Sequence, residues 1–132
     1  MTVRVITFGT FDVFHIGHLN ILRRAKAMGD HLIVGVSSDA LNFSKKARYP
    51  VYPEAERMEI VGGVRYVDEV FSEESLELKG EYIKRFKADR LVMGDDWVGR
   101  FDELKSLCEV IYLPRTEGVS TTHVMARIKK YE

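Results

Sequence analysis

Residues 3–36 read VRVITFGTFDVFHIGHLNILRRAKAMGDHLIVGV. Val3–Phe8 is a β-branched, mostly apolar run that stops at Gly9, which predicts a strand ending in a turn. Between His18 and Met28, Leu19, Leu22 and Ala25 recur three apart, the spacing of one helix face, and Gly29 is expected as the C′ stop. Leu32–Val36 is apolar without polar alternation, as strands covered on both faces are. Strand, helix, strand is one crossover unit of a parallel sheet.

Working outward, the same alternation continues. A polar, basic loop is expected from Asp39 to Arg48, then a helix over Glu54–Val61 opened by Pro53, with Met58 and Val61 on one face. Val67–Phe71 predicts an interrupted strand, followed by a helix through Leu78, Tyr82, Ile83 and Phe86 and a strand at Leu91–Met93. A short helix around Phe101–Leu107 precedes a strand at Val110–Leu113, and a final helix begins near Ser120 with Val124, Met125 and Ile128. The expected fold is α/β: a Rossmann-like single domain over residues 1–132, with a five-stranded parallel sheet flanked by helices.

Composition narrows the partners. The chain has 132 residues, 45% hydrophobic and 30% charged, which suits one folded domain with one core. Twenty basic residues balance twenty acidic ones, so no net field draws nucleic acid or an anionic membrane. A single cysteine, Cys108, excludes an internal disulfide and a cysteine zinc cluster, and its apolar surroundings predict an inert core thiol. The apolar runs fall far short of the ~20 residues that span a bilayer. MTVRVITFGT has no h-region followed by a cleavage site. A soluble, cytoplasmic protein with a small-molecule ligand is expected, with no nucleic acid and no membrane as partner.

In open α/β sheets, ligands bind beyond the carboxyl ends of the strands. The loops to read are therefore Gly9–His18, Ser37–Arg48, Gly94–Arg100 and Pro114–Thr122. In the first, Thr10 and Asp12 offer caps, and His15 and His18 share one face of a helix's first turn, where free N–H groups welcome an anion. Gly17 between them permits a close approach to the backbone. A phosphate cradle with two imidazole donors is the reading. A zinc pair has the spacing but no third ligand, and packing or capping would account for either histidine alone. The last loop places Arg115, Thr116, Ser120, Thr121 and Thr122 before a helix, a second anion site in which one hydroxyl serves as N-cap. Two such sites on one sheet edge fit a ligand with several phosphates.

HxGH within GTFDVFHIGH, together with RTEGVSTT, resembles the nucleotidyltransferase superfamily and, within it, the cytidylyltransferase branch. The segments RYVDEV (65–70) and MGDDW (93–97) match the same branch, and the resemblance runs from Val5 to about Thr122. The short chain is similar to the bacterial glycerol-3-phosphate cytidylyltransferases, which serve teichoic-acid precursor synthesis. This resemblance implies a homodimer, CTP and Mg²⁺ as participants, glycerol 3-phosphate as acceptor and CDP-glycerol as product. It places the triphosphate against Thr10, Phe11, His15, His18, Ser120, Thr121 and Thr122, and cytosine against Asp96, Arg115 and Thr116. The rest of the signature, Glu117, Gly118 and Val119, goes with the nucleotide. A lysine pair after the second strand carries over as Lys45, towards the acceptor, and Lys46, towards the nucleotide. The family's pair is commonly one residue apart, so Arg48 is the alternative to Lys46. Lys79 falls where the family has another acceptor-binding lysine.

The implied reaction is in-line attack of an acceptor phosphate oxygen on the α-phosphorus of CTP. A phosphate monoester has a second pKa of ~6 and is already largely ionised, so no strong base is required. His15, His18, Lys45 and Arg115 are then the catalytic set, gathering and neutralising charge, with Mg²⁺ carried on the triphosphate rather than in a protein cage. Asp96 is expected to accept from the cytosine amino group, or else to cap the turn before Trp97, which packs as an apolar anchor. Arg65 and Asp68 are expected to pair. His31 and His123 receive no role. The competing readings are another phospho-alcohol acceptor, such as phosphocholine or phosphoethanolamine, an adenylyltransferase, and a non-catalytic nucleotide-binding module.

Overall fold

The computed structural model describes residues 1–131. Five parallel strands form one sheet: β1 (Arg4–Gly9), β2 (His31–Ser37), β3 (Glu69–Glu73), β4 (Arg90–Gly94) and β5 (Glu109–Leu113), in the order β3-β2-β1-β4-β5. The helices are α1 (Ile16–Lys26), α2 (Asp39–Lys46), α3 (Glu54–Gly62), α4 (Lys79–Arg85) and α5 (Thr121–Lys129). Strand order reverses between β1 and β4, so the crevice of this α/β sheet opens above their carboxyl ends.

Alternate residues of each strand feed two cores. Val5, Leu32, Val34, Val36 and Val92 pack with Leu22 and Ala25 of α1 and Val61 of α3 on one face. Ile6, Phe8, Ile33, Leu91 and Met93 pack with Tyr82 and Ile83 of α4 on the other. The absence of polar alternation in β1, β2 and β4 follows from this two-sided burial. Gly35, in the middle of β2, has no room for a methyl: a Cβ there would lie 2.6 Å from the Phe8 ring and 2.7 Å from that of Phe71. The two rings meet edge to face over the notch, at 5.9 Å.

Four expectations need correction. The basic loop expected from Asp39 to Arg48 is mostly the helix α2. Ser38 accepts from the Leu41 N–H as N-cap, Leu41 and Asn42 are buried, Lys45 and Lys46 occupy the last turn, and Ala47 closes it in the left-handed region at φ 56°. The third strand lies two residues later than expected, because Asp68 is an anchor and not part of the ladder. Its carboxylate accepts from the Leu32 N–H at 2.8 Å and pairs with Lys26 at 2.6 Å. Asp68 therefore does not pair with Arg65, which lies over the Tyr66 ring. Finally, Gly29 is not a left-handed stop. Helix α1 ends at Ala27, and Gly29 lets the chain pass β1, where a Cβ would sit 2.6 Å from Val5 Cγ2 and 2.7 Å from the Val3 carbonyl oxygen. The helix expected through Leu78 begins as a 3-10 turn at Leu76–Leu78, and the short helix expected around Phe101–Leu107 is a 3-10 helix, Asp102–Ser106.

Candidate active site

Above the carboxyl ends of β1 and β4 lies a cavity of about 600 Å³. All the catalytic and binding residues expected from the sequence line it except Glu117 and Gly118. Those two form an exposed turn, which Gly118 permits at φ 72° with nothing within 4 Å of a would-be Cβ.

The first wall is the turn from β1 into α1. His15 is the N-cap and its Nδ1 accepts from the Gly17 N–H at 3.1 Å, while His18 Nδ1 accepts from the His15 N–H at 3.2 Å. The two rings stack with centroids 3.8 Å apart and 23° between planes. An Nδ1 that accepts carries no proton, so each neutral imidazole bears its hydrogen on Nε2. Burial chiefly, then Arg115, lowers the His15 pKa, and burial chiefly, then His15, brings His18 down to about 3 against the opposing pull of Asp12. Both rings are therefore neutral Nε2–H donors at pH 7. What approaches Gly17 closely is the His15 ring itself, which a Cβ at Gly17 would meet at 2.9 Å.

The loop that shapes this turn is strained. Phe11 and Val13 hold φ of 55° and 48°, and for a β-branched residue such as Val13 that is unusual. Asp12 holds the loop from outside, accepting from the Val51 and Tyr52 N–H groups at 2.7 and 2.9 Å. Gly9 lacks the Cβ that would strike the Phe11 ring at 2.8 Å, so the ring folds in beside His18 at 5.4 Å. Thr10 Oγ1 is tied to Ser37 Oγ and Asn42 Oδ1, both at 3.0 Å.

The second wall is the turn into α5. Ser120 is its N-cap, accepting from the His123 N–H at 3.1 Å, and its hydroxyl lies 2.7 Å from His123 Nδ1. His123, unassigned from sequence, thus orients the cap. Thr121 donates to the Asp12 carbonyl oxygen at 3.2 Å, and its oxygen lies 3.4 Å from His15 Nε2, which brings the two helix starts together. Helix α1 reinforces the junction through Asn20 to Thr116 Oγ1 at 3.0 Å and Arg24 to the Pro114 carbonyl oxygen at 2.7 Å. Asp96 and Arg115 face each other at 4.0 Å from the loops after β4 and β5, both about half exposed.

The far end of the cavity is cationic. Lys45, Lys46 and Arg48 line it from the end of α2 and the segment beyond. Loss of water chiefly, with Lys46 and Lys79 nearby, lowers the Lys45 pKa although Glu73 pulls it up. Lys79, buried at the start of α4, donates to the Glu73 carboxylate. Burial lowers its pKa and raises that of Glu73, in each case against the partner's charge. Sequence reasoning passed over Asn42, Arg57 and Glu73. Arg57 is fully buried and donates to the carbonyl oxygens of Thr10, Ser37 and Tyr52 and to Asp39.

The arrangement offers two helix N-termini, two neutral imidazole donors and a cluster of cations to an extended polyanion. A family model described as cytidylyltransferase-like matches residues 6–127. The chain is 50% identical over 126 residues to the glycerol-3-phosphate cytidylyltransferase of Bacillus subtilis (strain 168), covering 95% of this chain and 96% of that one. It is 48% identical to the enzyme of the same name from Staphylococcus aureus (strain NCTC 8325 / PS 47), covering 92% of this chain and 91% of that one. A lipopolysaccharide core biosynthesis protein from Thermoplasma volcanium GSS1 shares the fold with TM-score 0.76 at 21% identity, over 89% of this chain and 100% of that one.

Proposed function

The chain belongs to the cytidylyltransferase-like family, and from that footing we propose that it transfers CMP from CTP to glycerol 3-phosphate, giving CDP-glycerol and pyrophosphate. The observation that carries this reading is the meeting of His15 Nε2 and Thr121 where α1 and α5 both begin. An α-phosphate lodged there receives free backbone N–H groups from two helices and Nε2–H bonds from His15 and His18. These donors hold negative charge as it spreads over the pentacoordinate phosphorus and the leaving pyrophosphate, and because both rings are neutral they donate without taking the proton away.

The acceptor phosphate enters from the cationic end, where Lys45 is the accessible ammonium. Its oxygen attacks in line, already ionised near neutral pH, so no side chain need remove a proton. Lys46 or Arg48 meets the nucleotide phosphates, and Asp96 with Arg115 meets the base. Among the described residues no three His, Cys, Asp or Glu side chains converge as a metal cage. Mg²⁺ would then be held chiefly by the nucleotide's own phosphates and would supply charge neutralisation there.

A homodimer and a place in teichoic-acid precursor synthesis complete the reading. Tyr49 and Val51 are 65% and 57% exposed, and Ile60 of α3 is exposed as well, apolar area that a second copy would cover. The cytoplasm is the proposed location; among the described residues no helix is long and apolar enough to cross a membrane. Pyrophosphate release from CTP and from ATP, against a panel of phosphorylated alcohols, tests the reaction. Turnover only with CTP and glycerol 3-phosphate is expected, and turnover with ATP instead would overturn it. Light scattering that gives the mass of one chain at micromolar concentration overturns the dimer.

A further inference from the structure

Glu73, the last residue of β3, and Lys79, the first of α4, are 2% and 3% exposed, and both reach the cavity. The ammonium of Lys79 also faces the rings of Phe8 and Phe101, at 4.5 and 5.3 Å from their centroids. One carboxylate oxygen of Glu73, Oε2, receives the Lys79 ammonium, and among the described residues no donor meets the other. Every fully enclosed side-chain nitrogen or oxygen among those residues has a partner. Glu73 Oε1 is therefore not fully enclosed, and the open space beside it is the cavity.

A buried ion pair is a costly way to fill a cavity floor, since apolar side chains of similar volume commonly do as well or better. An ionised carboxylate oxygen left open in such a place is an acceptor waiting for a hydroxyl. Lys45 lines the same cavity as Glu73 and Lys79, so an acceptor whose phosphate sits on Lys45 has its carbon chain in the space that this oxygen faces.

We propose that Glu73 is the residue that selects the acceptor: its free carboxylate oxygen accepts a hydroxyl of the acceptor's carbon chain, while Lys79 holds the carboxylate in place and repels a chain that carries a cation. The site then takes the phosphate of an uncharged polyol and rejects the phosphate of an amino-alcohol. This inference rests on the cytidylyltransferase reading and refines its second substrate. Glu73 makes no contact with the reacting phosphorus.

The test compares kcat/KM for glycerol 3-phosphate with three other acceptors, at saturating CTP. Propane-1,3-diol monophosphate lacks the middle hydroxyl, propane-1,2-diol 1-phosphate lacks the terminal one, and ethanolamine phosphate carries an ammonium. The wild type should prefer glycerol 3-phosphate to at least one of the two deoxy analogues by about 10²-fold, since the missing hydroxyl leaves a buried acceptor unpaired. In Glu73→Gln that preference should shrink to within about tenfold, through a fall for glycerol 3-phosphate and for the analogue that keeps the same hydroxyl, with KM for CTP unmoved. If Glu73→Gln does not fold, the paired change E73M/K79M removes both charges together and carries the same comparison. With the cation gone, it should also use ethanolamine phosphate better than the wild type does. Equal losses for every acceptor, or an unchanged preference, would assign Glu73 to packing and overturn the proposal. So would a wild type that uses both deoxy analogues as readily as glycerol 3-phosphate. A wild type that turns over none of the hydroxylated phosphates with CTP sinks the reading of the reaction first, a separate result.

Discussion

The guanidinium of Arg57, wholly shielded from solvent, donates to the carbonyl oxygen of Thr10 at 2.9 Å and so fastens α3 to the start of the histidine loop. The same fork reaches the Ser37 and Tyr52 carbonyl oxygens at 2.8 and 2.9 Å and Asp39 at 2.7 Å. One side chain thus joins β1, β2, α2 and α3 behind the cavity.

Arg57→Met should therefore cost about 3–5 kcal/mol of stability, because it removes the cation paired with Asp39 and leaves three carbonyl oxygens without this donor. Arg57→Lys should recover little, since one ammonium cannot reproduce the planar fork. Urea denaturation measures both. A midpoint within error of the wild type for either variant contradicts the bracing role.

His15→Ala and His18→Ala should each lower kcat by on the order of 10²–10³ while the far-UV circular dichroism stays that of the wild type. Steady-state kinetics with CTP and glycerol 3-phosphate decides the matter. Near-normal turnover in either variant removes that ring from the reaction.

Stability should fall as the pH drops below neutrality. In the unfolded chain His18 binds a proton near its ordinary value of ~6.5, whereas in the fold it does so only at about 3. Below ~6.5 the unfolded state therefore holds the extra proton, and the loss grows until the folded ring also titrates. By pH 4 the loss from this one ring is about 3 kcal/mol, and His15 is shifted the same way. The urea midpoint should hold steady from pH 8 to 7 and then decline, and His18→Asn should flatten the decline. An equally steep decline in that variant would show that other groups cause it.

CTP should be used far better than UTP or ATP. On the proposed reading Asp96 and Arg115, 4.0 Å apart across the mouth, would offer an acceptor and a donor to the edge of a cytosine. Uracil offers no amino group to Asp96, and a site built around such a bond rejects an analogue that lacks it by ~10⁴ or more. Asp96→Ala should bring the kcat/KM values for CTP and UTP together. An unchanged ratio would return Asp96 to capping its turn.

Contiguity decided what could be read from the sequence. Strands β1, β2 and β4 announced themselves as apolar runs because both their faces are covered, and the two histidines and Arg115–Thr122 stand at helix starts within short, unbroken motifs. Helix α2 escaped because in DALNFSKK only Leu41 and Asn42 are buried, too few to mark a face. Its signal was the cap: Ser38, followed by an acid in the first turn and cations in the last. RYVDEV resembles a strand from Val67 onward, but Val67 packs into the core before the strand begins and Asp68 is turned aside by Lys26. Arg57 and Glu73 were hidden for another reason. Each works through partners brought from other elements, and along the chain each is one charge among many.

Gly35 touches nothing in the cavity, yet it governs the floor. Its missing methyl lets the Phe8 ring settle against Phe71, and the Lys79 ammonium lies over that same Phe8 ring at 4.5 Å. Any side chain at position 35 lifts Phe8 and, with it, the ion pair above. A lineage could therefore change its choice of acceptor from the interior of the sheet, while every residue of its catalytic motifs stayed the same.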